Sequence, residues 1–114
     1  MKGAEAEDLA LNYLLSRGLH LVDRNLRAPG GELDLVMRER DVLVIVEVRK
    51  RSHAGYGGGA ESVDRRKQAR IVRATLGLLA RRPDWARMAI RFDVVTLDAQ
   101  DRIEWIPAAF DAQV

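Results

Sequence analysis

Cysteine is absent from this 114-residue chain, which excludes disulfides and thiol chemistry outright. Only two histidines are present, His20 and His53, too few to suggest a histidine-based zinc site. Any metal is therefore expected to be a hard cation held by oxygen. No segment approaches the apolar run of a transmembrane helix, and Met1-Lys2-Gly3-Ala4-Glu5 lacks a signal-peptide core. The expectation is a cytoplasmic protein with no membrane association. Internal repeats, linkers and low-complexity segments are also missing, so residues 1–114 read as one domain with a single core.

What the chain does have is a pair of acidic positions set to meet. Residues 32 to 38 and 42 to 50 are rich in Leu, Ile and Val, and the polar stretch Glu39-Arg40-Asp41 separates them. With Arg40 and Asp41 as a two-residue turn, position 36 faces 45 and position 34 faces 47. Asp34 and Glu47 then stand opposite each other. Like charges at such a position are destabilising and call for a counter-charge, either a divalent metal or a flanking arginine such as Arg38 or Arg49. A register slip of one residue would separate them.

Burial sharpens the point. Val42, Val44, Val46 and Val48 line one face of the second strand, and Leu43 and Ile45 share the other with Glu47 and Arg49. A strand apolar on both sides is internal to its sheet. Glu47 ends an otherwise buried row, where a charge without a partner is costly.

The net charge of +2 conceals a strong segregation. Residues 49 to 82 carry ten Lys or Arg against Glu61 and Asp64, a balance of +8, and the rest of the chain is correspondingly acidic. Such clustering predicts a surface for a polyanion. A solvated, arginine-rich helix face is the plainer alternative.

Hydrophobic periodicity predicts a helix over residues 3 to 17, with Leu11, Leu14 and Leu15 on its apolar side and Gly18 as its cap. A strand begins at Leu19-His20-Leu21-Val22, residues 27 to 31 turn, and the carboxylate hairpin follows. Ser52 to Ala60, with four glycines, reads as a loop beside the site or a plain connector. A second helix is predicted from about Ser62 to Arg82, stopped by Pro83. Ile71, Val72, Leu76, Leu78 and Leu79 form its apolar face, and Arg66, Arg70 and Arg73 a basic stripe. Lys67 lies one turn from Ile71, which could point it toward the sheet. Met88 to Leu97 and Arg102 to Ile106 are two further strands, and Pro107 to Ala112 a short tail or helical turn. The predicted order is α-β-β-β-α-β-β, a mixed α/β (α+β) sheet of about five strands flanked by helices.

Ala6-Glu7-Asp8-Leu9-Ala10 with Tyr13-Leu14 and Gly18, then Arg24-Asn25, Gly31-Glu32-Leu33-Asp34-Leu35, Val46-Glu47-Val48-Arg49 with Arg51, and Lys67-Gln68 together resemble the YraN family. Arg91-Phe92-Asp93-Val94-Val95 and Glu104-Trp105-Ile106 fit its C-terminal end, so the resemblance spans nearly the whole chain. That family is similar to the PD-(D/E)xK nucleases, which have a restriction endonuclease-like core and relatives among Holliday junction resolvase-like enzymes. The resemblance implies a metal-dependent endonuclease acting on structured or branched DNA. Its alternative is a nucleic-acid-binding module that keeps the fold with weak or no cleavage.

Carried over by residue, the resemblance makes Asp34 and Glu47 ligands of Mg²⁺ or Mn²⁺. Glu7 matches a further acidic ligand of some members, or is simply a helix N-terminal acid. The residue two after Glu47 would be lysine in the superfamily's motif, and here it is Arg49. A guanidinium can clamp phosphate but stays protonated, so it cannot transfer a proton. Lys50 is no easy substitute, because adjacent strand residues point to opposite faces. Lys67 could supply the amine from the helix, or serve as an ordinary phosphate contact. Arg49, Lys50, Arg51, Arg66, Lys67, Gln68, Arg70 and Arg73 are the expected nucleic-acid contacts. Homodimerisation would suit a two-fold symmetric junction. A third reading is a protein-interaction domain whose arginine stripe meets an acidic partner, with Trp85, Trp105 and Phe110 as a contact patch unless they pack in the core or at its rim.

Overall fold

The computed structural model describes residues 4–51 and 63–112. In chain order the elements are α1 (Ala4–Ser16), β1 (His20–Ala28), β2 (Gly31–Glu39), β3 (Val42–Lys50), α2 (Arg65–Leu79), α3 (Pro83–Ala86), β4 (Ala89–Leu97) and β5 (Ile103–Phe110). The five strands form one sheet in the order β1-β2-β3-β4-β5. Neighbours are antiparallel except β3 and β4, which run parallel. Parallel neighbours need a long crossover, and α2 and α3 lie within it.

β3 is internal, as its two apolar faces predict. Leu43 and Ile45 join a cluster with Ile71, Val72, Ala74 and Leu78 of α2. Val44, Val46 and Val48 join the opposite cluster with Ala6, Ala10 and Leu14 of α1. The sheet therefore lies between the two helices, and Glu47, in step with Leu43 and Ile45, belongs to the α2 side.

Helix ends follow local chemistry. Gly18, at φ +93°, ends α1: its N–H donates to the Leu15 carbonyl at 3.1 Å and that of Leu19 to the Leu14 carbonyl at 3.1 Å. This doubly bonded left-handed cap is one that glycine adopts without strain. Asp64 caps α2 by accepting the Lys67 backbone N–H at 2.8 Å. Ser62 and the glycine-rich segment Ser52 to Ala60 lie outside the described residues.

Four expectations are corrected. Leu14 is buried as expected and Leu11 is half-buried, but Leu15 is 44% exposed, and the rest of the buried side of α1 is Ala6, Glu7 and Ala10; two alanines bring the helix close to the sheet. α2 stops at Leu79, and Pro83 opens the short α3 at a position where proline's missing N–H is harmless. β1 extends to Ala28 and is mostly exposed, as an edge strand can be. Pro107 to Phe110 belongs to β5 instead of forming a tail or helical turn: on the other edge of the sheet, proline's missing donor goes unused. At the irregularity Ala108 has φ +50° and donates its N–H to Asp93 at 2.9 Å.

The three aromatic residues considered as a contact patch pack in the core or at its rim. Trp85 is buried, Phe110 stacks on Phe92 with ring centroids 5.1 Å apart, and Trp105 meets Tyr13 edge-on at 6.5 Å. Among the described residues no helix is long and apolar enough to cross a membrane.

Candidate functional site

The hairpin has the register that its two-residue turn predicts, with Val36 opposite Ile45 and Leu35 opposite Val46. The ladder ends there. At the next position Asp34 Oδ2 accepts the Val48 backbone N–H at 3.0 Å. A carboxylate thus takes the place of a strand carbonyl as acceptor. Asp34 and Glu47 line one cavity of about 130 Å³ with Gly30, Gly31, Glu32, Lys67, Arg70 and Ile71. Both carboxylates are buried, at 6% and 5% exposure.

The counter-charge comes from α2. Lys67 Nζ lies 2.8 Å from Glu47 Oε2. Asp64 fixes the helix start, which sets Lys67 at the third helical residue, one turn before the buried Ile71 and facing the sheet. The first turn of α2 carries Arg65, Arg66 and Lys67 and no acidic residue. Cations are disfavoured at this positive end of a helix. A buried carboxylate beneath the turn offsets that penalty, and the helix end in turn favours the carboxylate.

Arg70 follows one turn later and lines the same cavity; like Arg66 and Arg73 it is exposed on the helix. The β1–β2 turn closes the cavity from the other side. Gly30, at φ +96°, lies against α2, where a side chain would come within 3.8 Å of the Arg73 Cβ. The glycine pair before Glu32 is thus both a turn and a wall.

The two arginines considered as counter-charges lie elsewhere. Arg38 sits at the turn end of the hairpin, donating its Nε–H to the Arg40 carbonyl at 2.7 Å and approaching Asp41 at 4.0 Å. Arg49 is half-buried at the end of β3 and, among the described residues, does not line the cavity.

Other candidates are spread further. Glu7 is buried on α1, where it accepts from Asn25 Nδ2 at 2.9 Å and Arg24 Nη2 at 3.5 Å, so it ties α1 to β1. Asn25 reaches it from a backbone at φ +52°. Lys50 pairs with Asp101 at 2.9 Å in the β4–β5 turn, and that hydrogen bond holds its ammonium pKa above the ordinary lysine value. Arg51 is half-buried, with its backbone N–H on the Leu97 carbonyl at 2.7 Å. Gln68 donates its side-chain amide to the Val63 carbonyl at 2.9 Å, bracing the helix start. Of the predicted residues, then, Asp34, Glu47, Lys67 and Arg70 share one cavity. Glu32 and the two glycines complete it, and their position two to four residues before Asp34 was the available signal.

Among the described residues no three acidic or histidine side chains gather as a metal-ligand cluster. Two buried carboxylates in one cavity remain, an oxygen-only donor set suited to a hard cation that keeps several waters, as Mg²⁺ does.

The comparison with known proteins agrees on one family. Residues 6–97 match the uncharacterised protein family UPF0102. A UPF0102 protein of Pseudomonas savastanoi pv. phaseolicola is 47% identical, over 96% of this chain and 93% of the relative. One from Verminephrobacter eiseniae is 52% identical over 98% and 79%, and one from Halorhodospira halophila 50% over 96% and 86%. This chain therefore belongs to the UPF0102 family, the YraN family that its motifs resemble.

Proposed function

We propose that this protein is a divalent-metal-dependent endonuclease that hydrolyses phosphodiester bonds in structured or branched DNA at the cavity of Asp34 and Glu47. One observation carries the reading: two buried carboxylates from adjacent strands share a cavity with Lys67 and Arg70 of α2, the helix that also exposes Arg66 and Arg73. A carboxylate pair in a cationic surround is what a phosphate-cleaving centre requires, since carboxylates bind the cation and arginines bind the anionic backbone.

Asp34 and Glu47 would hold Mg²⁺ or Mn²⁺. The ion, when bound, lowers the pKa of water and neutralises charge on the reacting phosphoryl group. Asp34 is oriented for this role by the Val48 N–H. Arg70 binds a non-bridging phosphate oxygen and stabilises charge that grows there as water adds to phosphorus and the bond to the leaving sugar oxygen breaks. Lys67 is the ammonium at the cavity, able to donate the proton that the leaving oxygen takes up. Arg49 is confined to holding phosphate. The preference for DNA rests on the family's resemblance to DNA-processing nucleases.

Arg49 favours a second reading. It occupies the position that is lysine in the nuclease motif, as in a nucleic-acid-binding module that retains the fold without cleaving. Cleavage assays on linear duplex, single-stranded, flapped and four-way-junction DNA, with Mg²⁺, Mn²⁺ or EDTA, separate the two. Metal-dependent cutting by wild type that is lost in Asp34→Asn supports the nuclease. Salt-sensitive binding to the same substrates with no cutting under any metal supports the binding module.

A further inference from the structure

We infer that Lys67 is an exchangeable counter-ion, so that its ammonium and a divalent cation are alternative partners of the Glu47 carboxylate and cation binding drives Lys67 toward the substrate phosphate. This rests on the metal site proposed above and adds what the lysine does there. The ion pair is short, at 2.8 Å, and its partners differ in surroundings: the Glu47 side chain is 5% exposed and that of Lys67 28%. The carboxylate is fixed in the sheet, whereas the ammonium ends a flexible four-carbon stem with an open way to solvent. A divalent ion on Glu47 would repel a neighbouring ammonium twice as strongly as a monovalent one, at a distance where that repulsion is poorly screened.

The helix adds a second argument. Lys67 stands in the first turn of α2 beside Arg65 and Arg66, where the helix end disfavours cations, so its inward position depends on the Glu47 charge. Once a cation neutralises that charge, nothing in the described surroundings of Nζ other than Glu47 ion-pairs with it. Arg70 lines the same cavity one turn away. A displaced Lys67 and Arg70 then form a two-cation cradle for one phosphate. By linkage, cation binding raises affinity for the nucleic acid and nucleic acid raises affinity for the cation by the same factor.

The chain has only three lysines, Lys2, Lys50 and Lys67, which makes the exchange directly observable. Reductive ¹³C-methylation of the full chain gives one NMR signal per lysine, and Lys50, held by Asp101, is an internal reference. Saturation with Mg²⁺ is expected to move the Lys67 signal toward that of a solvated amine and to leave Lys50 in place. Calorimetry gives the reciprocal measure: Lys67→Met should bind Mn²⁺ several-fold to about tenfold more tightly, because the Lys67–Glu47 ion pair no longer has to be broken. It should also melt lower in EDTA than wild type and gain more from Mn²⁺. A Lys67 signal that stays put while Mg²⁺ saturates the site, or Mn²⁺ binding in Lys67→Met that is unchanged or weaker, overturns the exchange while leaving the metal site intact. Metal binding that is absent, or that survives both Asp34→Asn and Glu47→Gln, overturns the site and the exchange together. Should Lys67→Met not fold, the wild-type NMR titration decides alone.

Discussion

The metal-binding role proposed for Asp34 is separable from its backbone contact, and two substitutions should split them. Its carboxylate accepts the Val48 N–H at 3.0 Å where the β2–β3 ladder ends, in a site 6% exposed. Asp34→Ala leaves that buried donor without this acceptor, at a cost of about 1–3 kcal/mol. At about 2.1 cal/mol/K of unfolding entropy per residue, 1 kcal/mol corresponds to roughly 4 °C in melting temperature, so the alanine variant should melt about 4–13 °C lower. Asp34→Asn keeps an amide oxygen for Val48 and also removes one of two adjacent negative charges. Its stability in urea should lie within about 1 kcal/mol of wild type. Both variants should lose Mn²⁺ binding by calorimetry, and with it any cleavage. The decisive result is therefore a folded but metal-blind asparagine variant. An asparagine variant as unstable as the alanine would refute the backbone-acceptor argument. One that binds Mn²⁺ like wild type would remove Asp34 from the metal site.

Asp93 offers the largest purely structural effect. It is fully buried and accepts from Arg91 Nε at 2.9 Å and Nη2 at 3.0 Å, Trp105 Nε1 at 2.9 Å and the Ala108 N–H at 2.9 Å. Asp93→Ala should cost about 3–5 kcal/mol in urea unfolding, and a loss below 1 kcal/mol would contradict the network's role. Neutralising Arg66, Arg70 and Arg73 together should weaken DNA binding and flatten its salt dependence by up to about 2.7 in log–log slope, read by fluorescence anisotropy across salt concentrations. An unchanged slope would place the phosphate contacts elsewhere. Asp98 accepts the backbone N–H groups of Arg102 and Gln100, and these hold its carboxyl below the ordinary value of 3.8. Because the folded pKa is depressed, its contribution is present above about pH 4 and disappears as pH falls through the lower folded value. An NMR titration midpoint at or above 3.8 would rule that out.

The hairpin and the carboxylate pair were legible because strand alternation and turn length fix register together. With Arg40 and Asp41 as the turn, no freedom remained in which residues met, and the observed pairs follow. The two-faced burial of β3 was legible for a related reason: a run apolar at every position has no exposed side to offer. The packing face of α1 was not. Ala6 and Ala10 carry little hydropathic contrast, so periodicity favoured the larger Leu11 and Leu15, while close approach to the sheet selected the small residues. β5 was cut short because Pro107 reads as a strand breaker unless the strand is known to be an edge, and that depends on the order of the whole sheet. The tie of Glu7 to β1 could not be read for a comparable reason. Its partners Arg24 and Asn25 lie seventeen and eighteen residues away, on a strand whose left-handed Asn25 has no sequence signal stronger than the residue type itself.

The counter-charge shows how such a site could be found in a sequence without structure. The flanking arginines looked suitable because they are near in the chain, but Arg38 is drawn to the hairpin turn and Arg49 stays outside the cavity. Lys67 is twenty residues from Glu47, yet it carried a mark that proximity lacks. Three cations and no acid occupy the first turn of a helix whose capping residue, Asp64, is otherwise ideal. A helix start so well capped and so wrongly charged conflicts with itself unless negative charge waits beneath it. Such a local conflict points to a buried partner better than composition does. The basic segment from 49 to 82 marked a surface. The lysine within it marked the cavity, because the buried Glu47 carboxylate offsets its unfavourable place at the helix start.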